Sequence, residues 1–218
     1  MKELWVQFDA GRDPVANLRR EEALLRRVEE VEAPELVRFW INSKCLVRGK
    51  ARSPKSGWYH EALAKRAGVA VIERATGGGV VFHDEGNLNW SFFLRNTRRL
   101  LSPTQMFEEA SRYVVGTLGD LGVPAQFAPP NRIDVQGLKV SGMAARSTPK
   151  ARLVHGTLLI DSDLELLNRL CIPPSGCPPV ANISRWTGPI DATAVVRAFV
   201  KFLKGSGVEV RLEGDAAI

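Results

Sequence analysis

Three consecutive glycines, Gly77-Gly78-Gly79, sit between apolar runs at residues 69–72 and 80–82, three residues after Arg74. The pattern predicts strand, glycine-rich turn, strand. Without a Cβ, such a turn can take positive φ and let another molecule approach its backbone. Successive N–H groups there can converge into an anion-binding concavity. Arg74 enters the turn, and a guanidinium can grip phosphate or carboxylate through two parallel hydrogen bonds. A hairpin turn beside a surface arginine would use the same glycines. The next residues argue for more than that. His83, Asp84, Asn87, Asn89 and Ser91 make this run too polar for ordinary core packing.

Composition narrows the setting. The chain has 218 residues, 44% hydrophobic and 25% charged, enough for one sizeable core and one or two domains. No apolar run reaches the ~18 residues of a membrane span, and the N-terminus lacks an apolar signal core. Cys45, Cys171 and Cys177 form neither an even framework nor a Cys-x-x-Cys pair. The expected compartment is therefore the cytoplasm. A net charge of +6 favours acidic partners such as nucleotides or an acidic protein, with a solvated surface as the plain alternative. The chain carries no zinc-ligand spacing and no nucleic-acid motif, so neither nucleic acid nor a membrane is an expected partner.

Residues 3–9 alternate apolar and polar, which predicts a half-buried strand. Asp13-Pro14 reads as an N-cap followed by proline at the first helical position. The helix it opens runs to about residue 30, with Leu18, Leu24, Leu25 and Val28 on one face and paired charges opposite. Short strands are expected at 35–41 and 45–48, an exposed loop at 50–57 and a helix at about 58–67. A strand at 88–94 follows the glycine turn, then a helix begun by Ser102-Pro103 and ended near Gly122. A loop or edge at 124–130 precedes strands near 133–135, 139–144 and 153–160. A helix at about 162–170, a Pro/Gly-rich break at 173–179, a helix at about 191–203 and a strand at 208–212 close the chain. Strands that follow one another without a helix favour an α+β fold, with a mixed, largely antiparallel sheet and flanking helices, over a doubly wound parallel sheet.

Three stretches carry a resemblance. The first is Arg74-Ala75-Thr76-Gly77-Gly78-Gly79-Val80-Val81-Phe82-His83-Asp84-Glu85-Gly86-Asn87-Leu88-Asn89. The second is Asn131-Arg132-Ile133-Asp134-Val135-Gln136-Gly137-Leu138-Lys139-Val140-Ser141-Gly142-Met143-Ala144, and the third is His155-Gly156-Thr157-Leu158-Leu159-Ile160-Asp161. In this order they resemble the lipoate–protein ligase A family. The helix holding Asn17, Leu18, Glu21, Glu22, Ala23, Leu24 and Leu25 is similar to one in that family too. The resemblance implies the catalytic-domain fold shared with biotin ligases. It also implies a two-step reaction: ATP activates lipoate to lipoyl-AMP, and a lysine of an acceptor domain then takes the acyl group. The implied acceptors are the lipoyl domains of 2-oxoacid dehydrogenase complexes and the glycine cleavage H protein.

Lys139 is the catalytic residue under this resemblance. Its spacing alone leaves it either an outward surface lysine or an inward one that needs an anionic partner. Arg74, with the amides of Gly77, Gly78, Gly79, Val80, Val81 and Phe82, is implied to hold the nucleotide phosphates, and Mg²⁺ to screen the pyrophosphate. His83, Asn87, Asn131, Gly142, His155 and Gly156 are implied to border the lipoyl pocket. Phe39, Trp40, Leu46, Val47 and Trp58 are implied to wall the acyl chain, with strand core as the plain alternative for each. His83-Asp84 suits a structural pairing better than a metal set, because His60 and His155 are the only other histidines. His155 has a hydrogen-bonded core role as its alternative.

The chain departs from the family pattern in places. Glu73 stands where the family has a first arginine, and Asn131-Arg132 where it often has Asn-Asp, which removes one acidic metal contact. The C-terminal part is short, so residues 1–218 are expected to form one catalytic domain without an accessory domain. A separate chain would then supply that domain, or this chain would perform part of the reaction. Three rivals remain. An octanoyltransferase would use Cys171 or Cys177 as a thiolate without ATP. A biotin ligase would share Gly-x-Lys-Val-x-Gly. A non-catalytic module would bind a lipoyl domain or nucleotide.

Overall fold

The computed structural model describes residues 3–50, 58–96 and 101–213. The chain begins β1 (Glu3–Asp9), α1 (Pro14–Glu29), β2 (Leu36–Trp40), β3 (Cys45–Gly49), α2 (Glu61–Arg66), β4 (Ala70–Arg74), β5 (Val80–His83) and β6 (Asn87–Arg95). It continues α3 (Pro103–Asp120), β7 (Ala125–Ala128), β8 (Arg132–Val135), β9 (Leu138–Ser147) and β10 (Ala151–Leu159). Last come α4 (Leu164–Leu170), α5 (Ser184–Thr187), α6 (Ala192–Gly205) and β11 (Glu209–Glu213).

Eight strands form the main sheet in the order β11-β1-β2-β6-β10-β9-β8-β7. Only β1 with β11 and β1 with β2 run parallel; the remaining pairs are antiparallel. The expected α+β class therefore holds. A three-stranded sheet, β4-β3-β5, lies apart from it.

Strand alternation divides the main sheet into two unlike faces, because residues opposite one another across antiparallel strands point the same way. Leu88, Trp90, Phe92 and Leu94 share one face with Val37, Phe39, Val154 and Leu158, and with α3 and α6 they make the main core. Asn87, Asn89 and Ser91 share the other face with Trp40, Arg38, Thr157 and His155. Helix α1 lies on that polar face, against β6 and β10. The small sheet reaches it through an apolar cluster of Leu18, Trp40, Cys45 and Val47, joined by Ile72 and Val81. The polar residues that look out of place in the sequence thus line a buried seam between two layers.

Local signals account for the helix ends. Asp13 Oδ1 accepts from the Val15 N–H at 2.9 Å ahead of Pro14. Ser102 and Gln105 form a reciprocal capping box at α3, worth about 0.5–2 kcal/mol. Helix α2 begins later than the pattern predicts. Trp58 and Tyr59 are drawn into extended pairing: the Trp58 carbonyl accepts from Ile172 N at 2.9 Å, and Tyr59 bridges Cys171. The glycine turn is not a hairpin either, since β4 and β5 both pair with β3, one parallel and one antiparallel. Residues 51–57 of the expected loop lie outside the described residues.

Candidate functional site

The glycine loop is held from both sides. Arg74 is buried, and all three of its nitrogens bond the loop and its neighbour: Nε to Thr76 Oγ1 at 2.9 Å, Nη1 to the Val47 carbonyl at 3.1 Å, and Nη2 to the Gly77 carbonyl at 2.9 Å. These contacts use three of its five N–H groups. Burial lowers its pKa to about 10, with the Glu21 carboxylate opposing, so it stays charged at neutral pH. Gly78 takes φ +100°, which only glycine adopts readily, and a Cβ on Gly79 would lie 2.0 Å from the Trp58 ring. Strand β5 is the edge of its sheet. Alternate N–H groups of Val80, Val81 and Phe82 therefore face away from β3 with no strand to pair them among the described residues.

Behind the loop runs a buried polar relay. Thr76 Oγ1 is 2.8 Å from His155 Nε2, and His155 Nδ1 is 3.0 Å from Glu21 Oε1. Ser91 donates to the same Glu21 oxygen at 2.5 Å and accepts from Trp40 Nε1 at 3.1 Å. Arg74 Nε donates to Thr76, and His155 joins Thr76 to Glu21 through its two ring nitrogens. Burial alone would raise the Glu21 carboxyl. The charge and hydrogen bond of His155, the Ser91 hydroxyl and Arg38 outweigh it and hold the group below its ordinary value. Sequence reasoning treated Glu21 as part of a helix and missed its role; one carboxylate among leucines on the buried face was the available signal.

His83 is fully enclosed. Its Nδ1 accepts from Asn42 Nδ2 at 3.1 Å, and its ring packs edge-on to Trp40. Burial, then the charge of Arg74, push its pKa down to about 3. Asp84 has a structural role, but at the turn between β5 and β6 rather than at the glycines: its two oxygens accept from Gly86 N at 3.0 Å and Asp163 N at 2.8 Å, tying that turn to the start of α4. Asn87 donates to Asn89 Oδ1 at 3.1 Å, while its own buried Oδ1 has no partner among the described residues.

Lys139 emerges on the same face, two strands from β6. Its backbone joins residues 179–181: Lys139 N donates to the Pro179 carbonyl at 2.8 Å, and Ala181 N to the Lys139 carbonyl at 3.0 Å. Its ammonium lies over Gly142, where a Cβ would stand 3.1 Å from Nζ. Gly142 N donates to Thr157 Oγ1 at 3.3 Å, linking this strand to the polar seam. Asn131 sits at the exposed rim and donates to the Met143 carbonyl at 2.8 Å, stitching β8 to β9. Gly156 does not join the pocket. It stands on the core face opposite Trp90, and a Cβ there would lie 2.4 Å from the indole. Its lack of a side chain makes room for Trp90 rather than for a ligand.

Residues 13–204 match the family described as the lipoyl protein ligase A/B catalytic domain. The chain belongs to this family. It is 34% identical over 164 residues to lipoate–protein ligase 1 of Staphylococcus aureus, covering 75% of this chain and 48% of that one. It is 31% identical over 153 residues to a lipoate–protein ligase of Bacillus subtilis, covering 70% and 44%. The chain thus spans about half the length of these curated relatives. Among solved structures, a lipoate–protein ligase A bound with ATP aligns at TM-score 0.83 and 22% identity, over 99% of this chain and 90% of that one. A bi-partite lipoate protein ligase of Thermoplasma acidophilum, solved in a study that includes its E2 lipoyl domain, aligns at TM-score 0.76 and 20% identity, over 99% and 88%. At such identities the structural likeness speaks to the fold.

In this lipoyl ligase family member, the residues expected to wall the acyl chain separate. Trp40 and Val47 meet in the seam with Leu18 and Val81. Phe39 turns to the main core against Phe199, and Leu46 packs towards α2 and α4. Adjacent strand residues point oppositely, so Phe39 and Trp40 cannot both face the seam. A surface cleft of about 400 Å³, lined by residues including Phe8, Arg12, Glu85 and Asp191, includes none of the expected site residues. Cys171 is half-buried, and burial pushes its thiol up to about 11 despite the nearby Lys139 charge, which opposes a thiolate nucleophile.

Proposed function

We propose that this chain is the catalytic domain of a lipoate–protein ligase, forming lipoyl-AMP from lipoate and ATP and passing the acyl group to a lysine of a lipoyl domain. One observation carries the reading: three motifs far apart in sequence converge on one polar seam. The glycine loop, the His155–Glu21 relay and Lys139 all border the same face of the main sheet. The apolar cluster of Leu18, Trp40, Val47 and Val81 offers the lipoyl chain a place between the two sheets.

In the first step a carboxylate oxygen of lipoate attacks the α-phosphorus of ATP, and pyrophosphate leaves. Bringing two anions together is the main obstacle, so positioning and positive charge supply most of the help. Lys139 touches both the carboxylate and the α-phosphate. The free amides of β5, with the two remaining N–H groups of Arg74, hold the nucleotide. In the second step an acceptor amine attacks the acyl carbon of the mixed anhydride, and AMP departs with its charge stabilised by Lys139.

The resemblance implies Mg²⁺ as the ion that accompanies ATP. Among the described residues, no three His, Cys, Asp or Glu are grouped to hold a metal. Asp134, which stands opposite Lys139 in register, is paired with Arg132. Mg²⁺ is usually held by the substrate phosphates with only one or two protein carboxylates, so it would come with ATP and screen the pyrophosphate, while Lys139, Arg74 and the β5 amides meet the rest of the phosphate charge. Lipoyl domains of 2-oxoacid dehydrogenases and the glycine cleavage H protein are the proposed acceptors, in the cytoplasm. A separate accessory subunit completes the enzyme, a reading supported by the likeness to a bi-partite ligase.

The deciding experiment is lipoate-dependent exchange of labelled pyrophosphate into ATP by the purified chain. Exchange that is lost in Lys139→Ala, with the fold retained, supports the ligase. Octanoyl transfer without ATP, abolished by Cys171→Ala, would overturn it.

A further inference from the structure

The register between β8 and β9 puts Arg132 opposite Gly142 and Asp134 opposite Lys139. Lys139 Nζ lies over Gly142, 3.1 Å from where a Cβ would be. Two cationic side chains on neighbouring strands therefore share one open spot on the sheet. The only carboxylate directly paired there is committed: Arg132 Nε donates to Asp134 Oδ2 at 2.9 Å and Oδ1 at 3.1 Å. Among the described residues, no carboxylate lies within 4.0 Å of Lys139 Nζ, and neither Nη of Arg132 has a hydrogen-bond partner. Asp134 thus steadies the Arg132 stem through Nε and leaves the forked end of the guanidinium unused. That end, with two parallel N–H groups, is the part that matches phosphate. Arg132 is partly exposed, its side chain 29% accessible, so a ligand can reach it.

We infer that Arg132 is a second anion-binding residue of the adenylation site and holds the departing pyrophosphate while Lys139 holds the reacting carboxylate and α-phosphate. This rests on the ligase reading above. As the carboxylate oxygen forms its bond to the α-phosphorus, the bond from that phosphorus to the bridging oxygen breaks. The electron pair leaves on pyrophosphate, whose negative charge grows. A guanidinium one cross-strand pair from Lys139 meets that charge where it develops. The one acid at this position orients the arginine.

The test is calorimetric titration of ATP, AMP and pyrophosphate into the wild-type chain, Arg132→Gln and Arg132→Lys, with the exchange assay alongside. Arg132→Gln should weaken ATP and pyrophosphate by about 10- to 100-fold and leave AMP and lipoate binding unchanged. Arg132→Lys, which keeps the charge but loses the fork, should recover part of that loss. ATP affinity unchanged in Arg132→Gln, or AMP weakened as much as ATP, would overturn the inference while the ligase reading stands. A wild-type chain that binds neither ATP nor pyrophosphate would overturn both.

Discussion

His155 on β10 stands 3.0 Å from Glu21 on α1, 134 positions away in sequence, and both groups are buried. This contact ties the first helix to the third motif and, through Thr76, to the glycine loop. Replacing Glu21 by alanine would leave His155 Nδ1 and the Ser91 hydroxyl buried without an acceptor. Glu21→Ala should cost about 3–5 kcal/mol of stability in urea unfolding. Glu21→Gln, which keeps an acceptor oxygen, should cost less. Both should weaken ATP binding, because Thr76 loses the anchor that sets Arg74.

His83 makes stability depend on acid. Its native pKa is lowered to about 3 from an ordinary 6.5, so below the ordinary value the unfolded chain takes up a proton that the native state refuses. The stability from keeping His83 neutral is complete above 6.5 and is lost as pH falls towards 3, at up to about 1.4 kcal/mol per pH unit. Glu21, held below its ordinary value, adds a loss in the same direction at lower pH. Urea midpoints measured from pH 7 to pH 4 should fall steeply in the wild type and more gently in His83→Gln. Equal slopes would show that another group carries the effect.

A methyl group at Gly79 should disturb the loop. A Cβ there would sit 2.0 Å from one Trp58 ring carbon and 2.2 Å from another, far inside contact distance. Either the ring or the loop must shift, at about 1–3 kcal/mol. Gly79→Ala should lower the melting temperature and weaken ATP binding. Gly77→Ala has open space around its Cβ and should leave the melting temperature close to wild type.

Cys171 should be dispensable and inert. With its thiol pushed up to about 11 by burial, little thiolate forms at neutral pH. Cys171→Ala should keep the pyrophosphate exchange rate within about twofold of wild type. Iodoacetamide at pH 7 should label the site slowly. Rapid labelling with loss of acyl transfer would restore the cysteine route.

Much of the fold was legible because its signals are local. The Asp13-Pro14 and Ser102-Gln105 caps act within a few residues, and strand alternation repeats every second one. The three motifs were legible too, since each is a continuous run. The sequence could not say which strands pair: β4 and β5 read as neighbours but flank β3. The resemblance also implied a place for Gly156 at the pocket, whereas Trp90 occupies the space beside it.

By itself the sequence determined most of the element order and the mixed α+β class, through residue type and short-range spacing. The family, and with it Lys139 as the residue to watch, came from the likeness of three continuous motifs. Tertiary structure alone decided that Glu21 meets His155, that Arg74 grips its own loop, and that Arg132 and Lys139 flank Gly142 with Asp134 steadying the arginine. Those outcomes depend on register and on which face of a strand is covered. A shift of one residue in strand pairing would send His155, Arg132, Asp134 and Lys139 to the opposite face.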